Sequence, residues 1–276
     1  MPAIPLLRSG ALAMPAIGFG TSSLGDCGEI VANALKLGYR HIDTAWKYGT
    51  EAGVGAGMKA SGVRREDIFL VTKVSHEYLK ANAFARSVEE SLARLQTHYV
   101  DLLLVHWPAI DGTPLAETMG ALARARREGT ARHIGVANFN IAMTRDAMRL
   151  CPEPLSVLQG EYHPYLNQTK VLAFCREADL IFMAYCPLAR GRLFGDPVLA
   201  DIARAKGKTV AQIALRWLLQ QGGIAPIPRS ANPAHMAESL KVFDFELTAD
   251  EMKRIHALAR PDGRIANPQG RAPKWD

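Results

Sequence analysis

The sequence predicts an α/β protein, a single (β/α)8 barrel of the TIM type spanning residues 1–276, and three observations carry that prediction. Eight short apolar segments rich in β-branched residues alternate with stretches of helical period. Four of them end on chemically active side chains, Asp43, Lys73, His106 and Asn138, at intervals of 30, 33 and 32 residues, close to one βα unit. With 276 residues, 48% of them hydrophobic, the chain is long enough to fill one barrel core of roughly 250 residues. The competing architecture, an open doubly wound sheet, would carry a Gly-x-Gly-x-x-Gly turn after its first strand. Gly18-Phe-Gly-Thr-Ser-Ser23 lacks the third glycine, and Gly53-Val-Gly-Ala-Gly57 has no strand before it.

Taken in order, Ile4 to Met14 reads as a hairpin turning at Ser9-Gly10, ahead of the barrel. Ala16 to Gly20 is the first barrel strand, and Asp26 to Leu37 is a helix stopped by Gly38. Tyr39 to Ile42 is the second strand. Asp43 is its tip, Tyr48 lies in the following loop, and Thr50-Glu51 caps a Gly-rich helix running to Ser61. Ile68 to Thr72 is a buried strand with Lys73 at its tip, followed by a helix from Asn82 to Leu95. Val100 to Val105 leads to His106-Trp107-Pro108, with a helix from Leu115 to Arg127 behind it. Ala131 to Ala137 ends at Asn138, and Ile141 to Leu150 is helical. Ser156 to Tyr162 carries Gln159, and a helix follows from Lys170 to Ala178. Leu180 to Ala184 ends at Tyr185 and is followed by two helices, Asp196 to Ala205 and Thr209 to Gln220. Ile224 to Ile227, the last strand, ends on Pro228-Arg229-Ser230. Pro233 to Val242 is helical, and the capping box Thr248-Ala-Asp-Glu251 opens one more helix. Extra helices therefore follow the seventh and eighth barrel strands. The Pro- and Gly-rich C-terminus is expected as a loop over the barrel mouth.

Composition removes several function classes. The net charge is +6 and the pI about 9.2, but Lys and Arg are scattered, with no basic run interleaved with aromatics. Nucleic acid is therefore not an expected partner, whereas a phosphate-bearing cofactor or acidic substrate fits the positive field. No apolar run of 18 residues occurs, so no membrane span is expected. Pro2, Pro5, Arg8 and Pro15 interrupt the apolar N-terminus, which argues against a signal peptide. Cys27, Cys151, Cys175 and Cys186 fall at no paired spacing, which fits a reducing cytoplasm and neither a disulfide framework nor a metal site. A monomer is expected.

In a barrel, the tips of neighbouring strands share one mouth, so Asp43, Tyr48, Lys73 and His106 converge there. A phenol ionises near pH 10 by itself. An adjacent ammonium favours the phenolate and lowers that value, and a carboxylate keeps the ammonium charged. Asp43 is thus expected to hold Lys73, Lys73 to tune Tyr48 as a proton donor, and His106 to orient the same oxygen. Such a group suits a carbonyl that gains a hydride on carbon and a proton on oxygen. No Gly-x-Ser-x-Gly nucleophile is present, no cysteine pairs with a tip histidine, and Asp43 with Glu161 makes no convincing glycosidase pair. His41, His76, His106 and His163 form no metal-ligand motif.

These segments together resemble the aldo-keto reductases: Gly-Tyr-Arg-His-Ile-Asp-Thr-Ala (38–45) with Tyr48, Val-Thr-Lys (71–73), Asp-Leu-Leu-Leu-Val-His-Trp-Pro (101–108), Ile-Gly-Val-Ala-Asn-Phe (134–139) and Ile-Pro-Arg-Ser (227–230). The likeness runs from Ile17 to the end, and the closing Pro268-Gln-Gly-Arg-Ala-Pro-Lys-Trp-Asp276 is similar to bacterial 2,5-diketo-D-gluconate reductases, which also reduce methylglyoxal. The resemblance implies NADPH lying across the mouth, with NADH accepted more weakly. It makes Asp43, Tyr48, Lys73 and His106 catalytic and gives Asn138 and Gln159 to the nicotinamide amide. Tyr185 is given to its ring, Gly20 and Thr21 to its surroundings, and Arg229, Ser230, His235 and Glu238 to the adenosine end, with Leu188 a further cofactor contact. Independently, a guanidinium beside a hydroxyl is what a 2′-phosphate needs.

Departures from the family pattern set further expectations. Ala137 and Cys186 replace serines, and Ser239 replaces an asparagine. Ser22 and Ser75 stand where aromatics are usual, which implies a wider and more polar pocket walled by Trp46, Trp107 and Trp275. His235 replaces an arginine, which implies a weaker NADPH preference. Arg264, Arg271 and Lys274 on the tail would favour acidic or polyhydroxy substrates. The implied activity is reduction of small aldehydes and ketones, methylglyoxal or keto-sugar acids among them. The alternative is a cofactor-sensing regulatory protein on the same barrel.

Overall fold

Strand residues alternate sides with period two, and that alternation decides which side chains enter the barrel. The computed structural model describes residues 4–276, so Pro2 lies outside it. Eight parallel strands are hydrogen-bonded in chain order: β3 (Phe19–Gly20), β4 (His41–Asp43), β5 (Phe69–Val74), β6 (Val100–Val105), β7 (Ala131–Ala137), β8 (Val157–Glu161), β9 (Ile181–Tyr185) and β10 (Ile224–Pro226). Two backbone bonds close the ring between its first and last members, Gly18 N–H to Pro226 O at 3.0 Å and Gly20 N–H to Pro228 O at 2.9 Å. The chains approach so closely there that a Cβ on Gly18 would lie 2.8 Å from both the His41 ring and the Ile227 side chain.

Two apolar cores result. The inner one joins Phe69 and Val71 of β5 to Leu102 and Leu104 of β6, Val157 of β8 and Met183 of β9. Lys73 continues the inward face of Phe69 and Val71. The hairpin β1 (Leu6–Ser9) and β2 (Leu12–Pro15) closes the N-terminal end of the barrel by adding Leu12 and Met14, both fully buried, to that core. It is tied down by the Ser9 hydroxyl donating to Asp179 O at 2.5 Å and by Gly10 N–H donating to Asp179 Oδ2 at 2.9 Å.

The outer core lies between strands and helices. The helices are α1 (Gly28–Leu37), α2 (Glu51–Ser61), α3 (Ala81–Leu95), α4 (Leu115–Arg127), α5 (Ile141–Leu150), α6 (Thr169–Glu177), α7 (Pro197–Lys206), α8 (Val210–Gln220), α9 (Pro233–Leu240) and α10 (Ala249–His256). Two helices thus follow the seventh barrel strand and two follow the eighth. The glycines of α2 are for packing, since a Cβ on Gly57 would stand 2.5 Å from Gly28 O of α1. The capping box at Thr248 and Glu251 opens α10 as expected, and Thr209 with Gln212 makes a second one on α8.

The start of α2 departs from expectation. Thr50 is the N-cap residue, but its side chain does not cap; the hydroxyl lies 3.1 Å from that of Thr21 and 2.9 Å from that of Thr44. Glu51 is buried, accepting from the Thr72 hydroxyl at 2.5 Å and from Arg94 at 2.8 Å. Both residues serve the layer beneath the mouth. Among the described residues, no helix is long and apolar enough to cross a membrane.

Candidate active site

Lys73 sits at the centre, its side chain fully buried. An ammonium there requires partners. Its three protons go to Asp43 Oδ1 at 2.7 Å, Asp43 Oδ2 at 2.8 Å and Thr44 O at 2.7 Å. Burial pulls the Lys73 pKa below its ordinary value, against the opposing pull of Asp43. Asp43 also accepts from Gln159 Nε2 at 2.9 Å. Thr21, likewise buried, donates its hydroxyl to Asp43 O at 3.0 Å, fixing the backbone that carries the carboxylate.

Tyr48 reaches this pair from a single 3-10 turn, Trp46–Tyr48, which ends at Gly49 with φ of 68°. The left-handed conformation, open to glycine at no steric cost, turns the chain into α2 and leaves the phenol facing the mouth. Lys73 Nζ lies 4.9 Å from the Tyr48 ring centroid. The His106 ring meets Tyr48 edge-on, with centroids 5.4 Å apart and planes at 82°. Burial, and after it the Asp43 carboxylate, holds the Tyr48 phenol well above its ordinary range. The net direction is thus upward, where the expectation was downward. Every Lys73 proton is committed to Asp43 or Thr44, and Asp43 offsets the ammonium charge. His106 is driven well below the ordinary histidine range by burial and then by Lys73 and Arg271, so it is a neutral imidazole with one N–H to give.

A second polar group adjoins the first. Asn138, at φ 62°, holds a left-handed conformation that asparagine tolerates better than most residues. Its Nδ2 donates to His106 O at 2.9 Å, and its Oδ1 accepts from the Tyr185 hydroxyl at 2.7 Å. Asn138, Gln159 and Tyr185 therefore present two amides and a ring beside the Tyr48–His106 pair.

A cavity of about 920 Å³ opens from here to the surface. Asp43, Tyr48, His106, Trp107, Asn138 and Gln159 line it at the inner end, with Gly20, Ser22 and Tyr185. Leu188, Arg229, Ser230, His235 and Glu238 line its outward reach. Arg229 Nη1 donates across the opening to Ser22 O at 2.8 Å and to Ser23 O at 3.2 Å. Glu238 accepts from the Thr209 hydroxyl. Buried amides at one end and an arginine with a serine hydroxyl at the other fit the two ends of a nicotinamide dinucleotide phosphate.

Five expected site residues stand off the cavity, Thr21 among them, its hydroxyl turned to Asp43 O and to Thr50. Lys73 lies beneath the cavity. Trp46 packs on Tyr78 with ring centroids 4.7 Å apart and donates to Glu90 at 3.4 Å, so it is a side wall of the α3 region. Ser75 is buried and donates to Glu77 at 2.9 Å, so its small size adds no room. Trp275 backs Trp107 at 6.3 Å between centroids and stacks under Arg264, whose guanidinium lies 3.8 Å from the Trp275 ring. Sequence reasoning missed Arg190 and Phe194, which line the cavity from the loop after β9, and Ala266 on the tail. The Arg190-Gly-Arg192 run was the one local signal. All four cysteines are free, and among the described residues no cluster of three metal-ligating side chains occurs.

The profile of the aldo/keto reductase family matches residues 16–260. Methylglyoxal reductase DkgB of Escherichia coli O157:H7 is 39% identical over 269 residues, covering 96% of this chain and 100% of that protein. A crystal structure provisionally named 2,5-diketo-D-gluconic acid reductase B superposes with a TM-score of 0.97 at 46% identity, over 99% of this chain and 98% of the other. A Gox0644 variant in complex with NADPH superposes with a TM-score of 0.90 at 34% identity, over 96% of this chain and 97% of the other.

Proposed function

The chain belongs to the aldo/keto reductase family, and on that premise we propose that it reduces small aldehydes and ketones with NADPH, Tyr48 supplying the proton. Family membership makes it an NADP(H)-dependent oxidoreductase acting on carbonyl groups. The observation that carries the finer reading is the convergence of Tyr48, His106 and the Lys73–Asp43 pair on the inner end of one large cavity. The cofactor, when bound, supplies the hydride.

The protein's share is placement and proton handling. Asn138 and Gln159 offer amide donors and acceptors to a carboxamide, and Tyr185 offers a ring face. The high-pKa phenol of Tyr48 stays protonated at working pH, so the acid is loaded before each turnover. The neutral imidazole of His106 donates its N–H to the same carbonyl oxygen and narrows its approach. As the phenolic proton leaves, the Lys73 ammonium across the ring stabilises the developing charge, and Asp43 keeps that ammonium fixed. Tyr48→Phe removes only the proton. We expect kcat with methylglyoxal to fall by at least about 10²-fold with NADPH affinity nearly intact. Activity within a few-fold of wild type would refute the role.

Methylglyoxal and keto-sugar acids are the first substrates to try, because the relatives carry those names. Arg229, with Ser230 beside it, supports NADPH over NADH, since Nε and Nη2 stay free of the bonds that Nη1 makes to Ser22 and Ser23. At His235 an imidazole offers fewer donors than the guanidinium of an arginine would, so NADH should be accepted more weakly but measurably. The four free cysteines support a cytoplasmic setting, and we take the chain to act as a one-domain monomer. The alternative, a cofactor-sensing regulatory protein, has no need of the complete proton-handling group.

A further inference from the structure

Glu161 is the last residue of β8 and is completely buried. A carboxylate in that position must be met by donors. Oε1 accepts from His163 Nε2–H at 2.8 Å and from the Ile265 backbone N–H at 2.7 Å, and Oε2 accepts from the Ala266 backbone N–H at 2.6 Å. Two consecutive amides of the C-terminal tail thus straddle the two oxygens of one strand-tip carboxylate. Burial alone would raise the Glu161 pKa; the bonds from His163, Ala266 and Ile265 outweigh it and hold the group below the ordinary glutamate range.

What the tail carries gives this grip its meaning. Ala266 lines the cavity. Arg264 stacks on Trp275, and the Trp275 indole N–H returns to Asn267 Oδ1 at 2.9 Å. Trp275 backs Trp107, and Arg271 lies 5.0 Å over the Trp107 ring. Burial disfavours the Arg264 cation, and Glu161 is the foremost charge offsetting it. The far end of the tail is held by surface bonds, Asn140 Nδ2 to Lys274 O and Ile141 N–H to Asp276 Oδ2, each 2.9 Å and each exposed. The buried anchor is therefore at Ile265 and Ala266.

We propose that Glu161 is a positioning residue that latches residues 264–276 over the barrel mouth and thereby sets the substrate side of the cavity. It takes no part in proton transfer. The specificity half of this inference rests on the reductase reading above; the latch itself does not.

The test is a cycle of four proteins: wild type, Glu161→Gln, a chain ending at Gly263, and the two changes combined. Glutamine keeps the shape but turns an N–H₂ toward one of the tail amides. With methylglyoxal and a keto-sugar acid, Glu161→Gln should raise KM by about tenfold, leave kcat within about threefold, and leave NADPH affinity unchanged. Trypsin should cut after Arg264 and Arg271 about tenfold faster than in wild type. In the shortened chain the Gln substitution should add nothing to KM, because its means of action is gone. Additive KM effects in the combined variant would overturn the proposal. So would a collapsed kcat with a protease-resistant tail, which would assign Glu161 to the chemistry. If Glu161→Gln does not fold, Ile265→Pro, at a residue outside the cavity lining, removes a latch bond from the tail side and is read by the same two assays, with cleavage followed after Arg271. Cleavage is read without turnover, so failure to reduce any carbonyl would sink the activity and leave the latch decided by proteolysis.

Discussion

The two ends of the barrel are built by the same strands and hold opposite contents. At the N-terminal end, Phe69 and Leu102 point inward and meet Leu12 and Met14 of the hairpin. Four residues further along the same two strands, the inward positions are Lys73 and His106. Period two carries an inward face through both, so the change is one of chemistry alone. The apolar plug contributes stability without facing the cavity. At the mouth, an ion pair and several amides are kept out of water and stay useful only while all their partners remain. The difference teaches that the residues proposed for proton handling gather in one layer, while the layers beneath it hold that layer in place.

The comparison breaks most severely at Lys73. Lys73→Met leaves Asp43 buried without its cation, a change that costs about 3–5 kcal/mol of stability, and it removes the charge behind the Tyr48 phenol. Activity with methylglyoxal should be badly impaired in both directions, and the phenol pKa should rise further. A pH–rate profile of unchanged shape and height would mean that the pair is structural only.

At the opposite end, Met14→Ala should cost about 2–5 kcal/mol by cavity formation. Its turnover per folded molecule should match wild type, with urea unfolding and active-site titration as the paired measurements. A loss of turnover equal to that at the mouth would erase the distinction between the ends.

His41 tests the plug by acid. It is fully buried, and burial lowers its pKa from 6.5 to about 4. Below pH 6.5 the unfolded chain gains a proton there that the native chain refuses until about pH 4. Stability is thus complete above the unfolded value and declines as pH falls through this window, by up to roughly 3 kcal/mol. His41→Gln should flatten the decline, as read from urea midpoints at pH 7, 6 and 5. An equally steep decline in the variant would place the acid sensitivity elsewhere.

The smallest effects belong to the rim. Arg229→Gly should weaken NADPH by about tenfold and NADH by no more than about twofold. His235→Arg should tighten NADPH by about two- to fivefold. Equal losses of both cofactors in Arg229→Gly would mean that Arg229 only ties the rim to Ser22 and Ser23.

What could be read beforehand follows a physical division. Strand tips recur with the βα period, so Asp43, Lys73, His106 and Asn138 were visible as a set, along with the hairpin and the four helices of the last two units. The direction of the Tyr48 pKa was not visible, because it depends on where Lys73 sends its protons. Thr50 reads as a cap by local rules, yet tertiary hydroxyl partners claim it. Ser75 and Trp46 occupy expected positions along the chain but turn toward Glu77 and Tyr78. The Glu161 grip on the tail spans 104 and 105 residues, a separation at which no local pattern marks it.

The seam that closes the ring has a consequence for how the molecule comes into being. Gly18 and Gly20 reach Pro226 and Pro228 by two backbone bonds, and the Arg229 strap to Ser22 crosses 207 residues. Joining points that far apart costs chain entropy of about 5 kcal/mol beyond a constant, so such contacts form after the local βα pairings have made them cheaper. During synthesis the first strand waits, with one edge unpaired, until the last has left the ribosome. Gly20, Pro228 and Arg229 all border the cavity. The mouth therefore takes its final shape only when the last strand has joined the first.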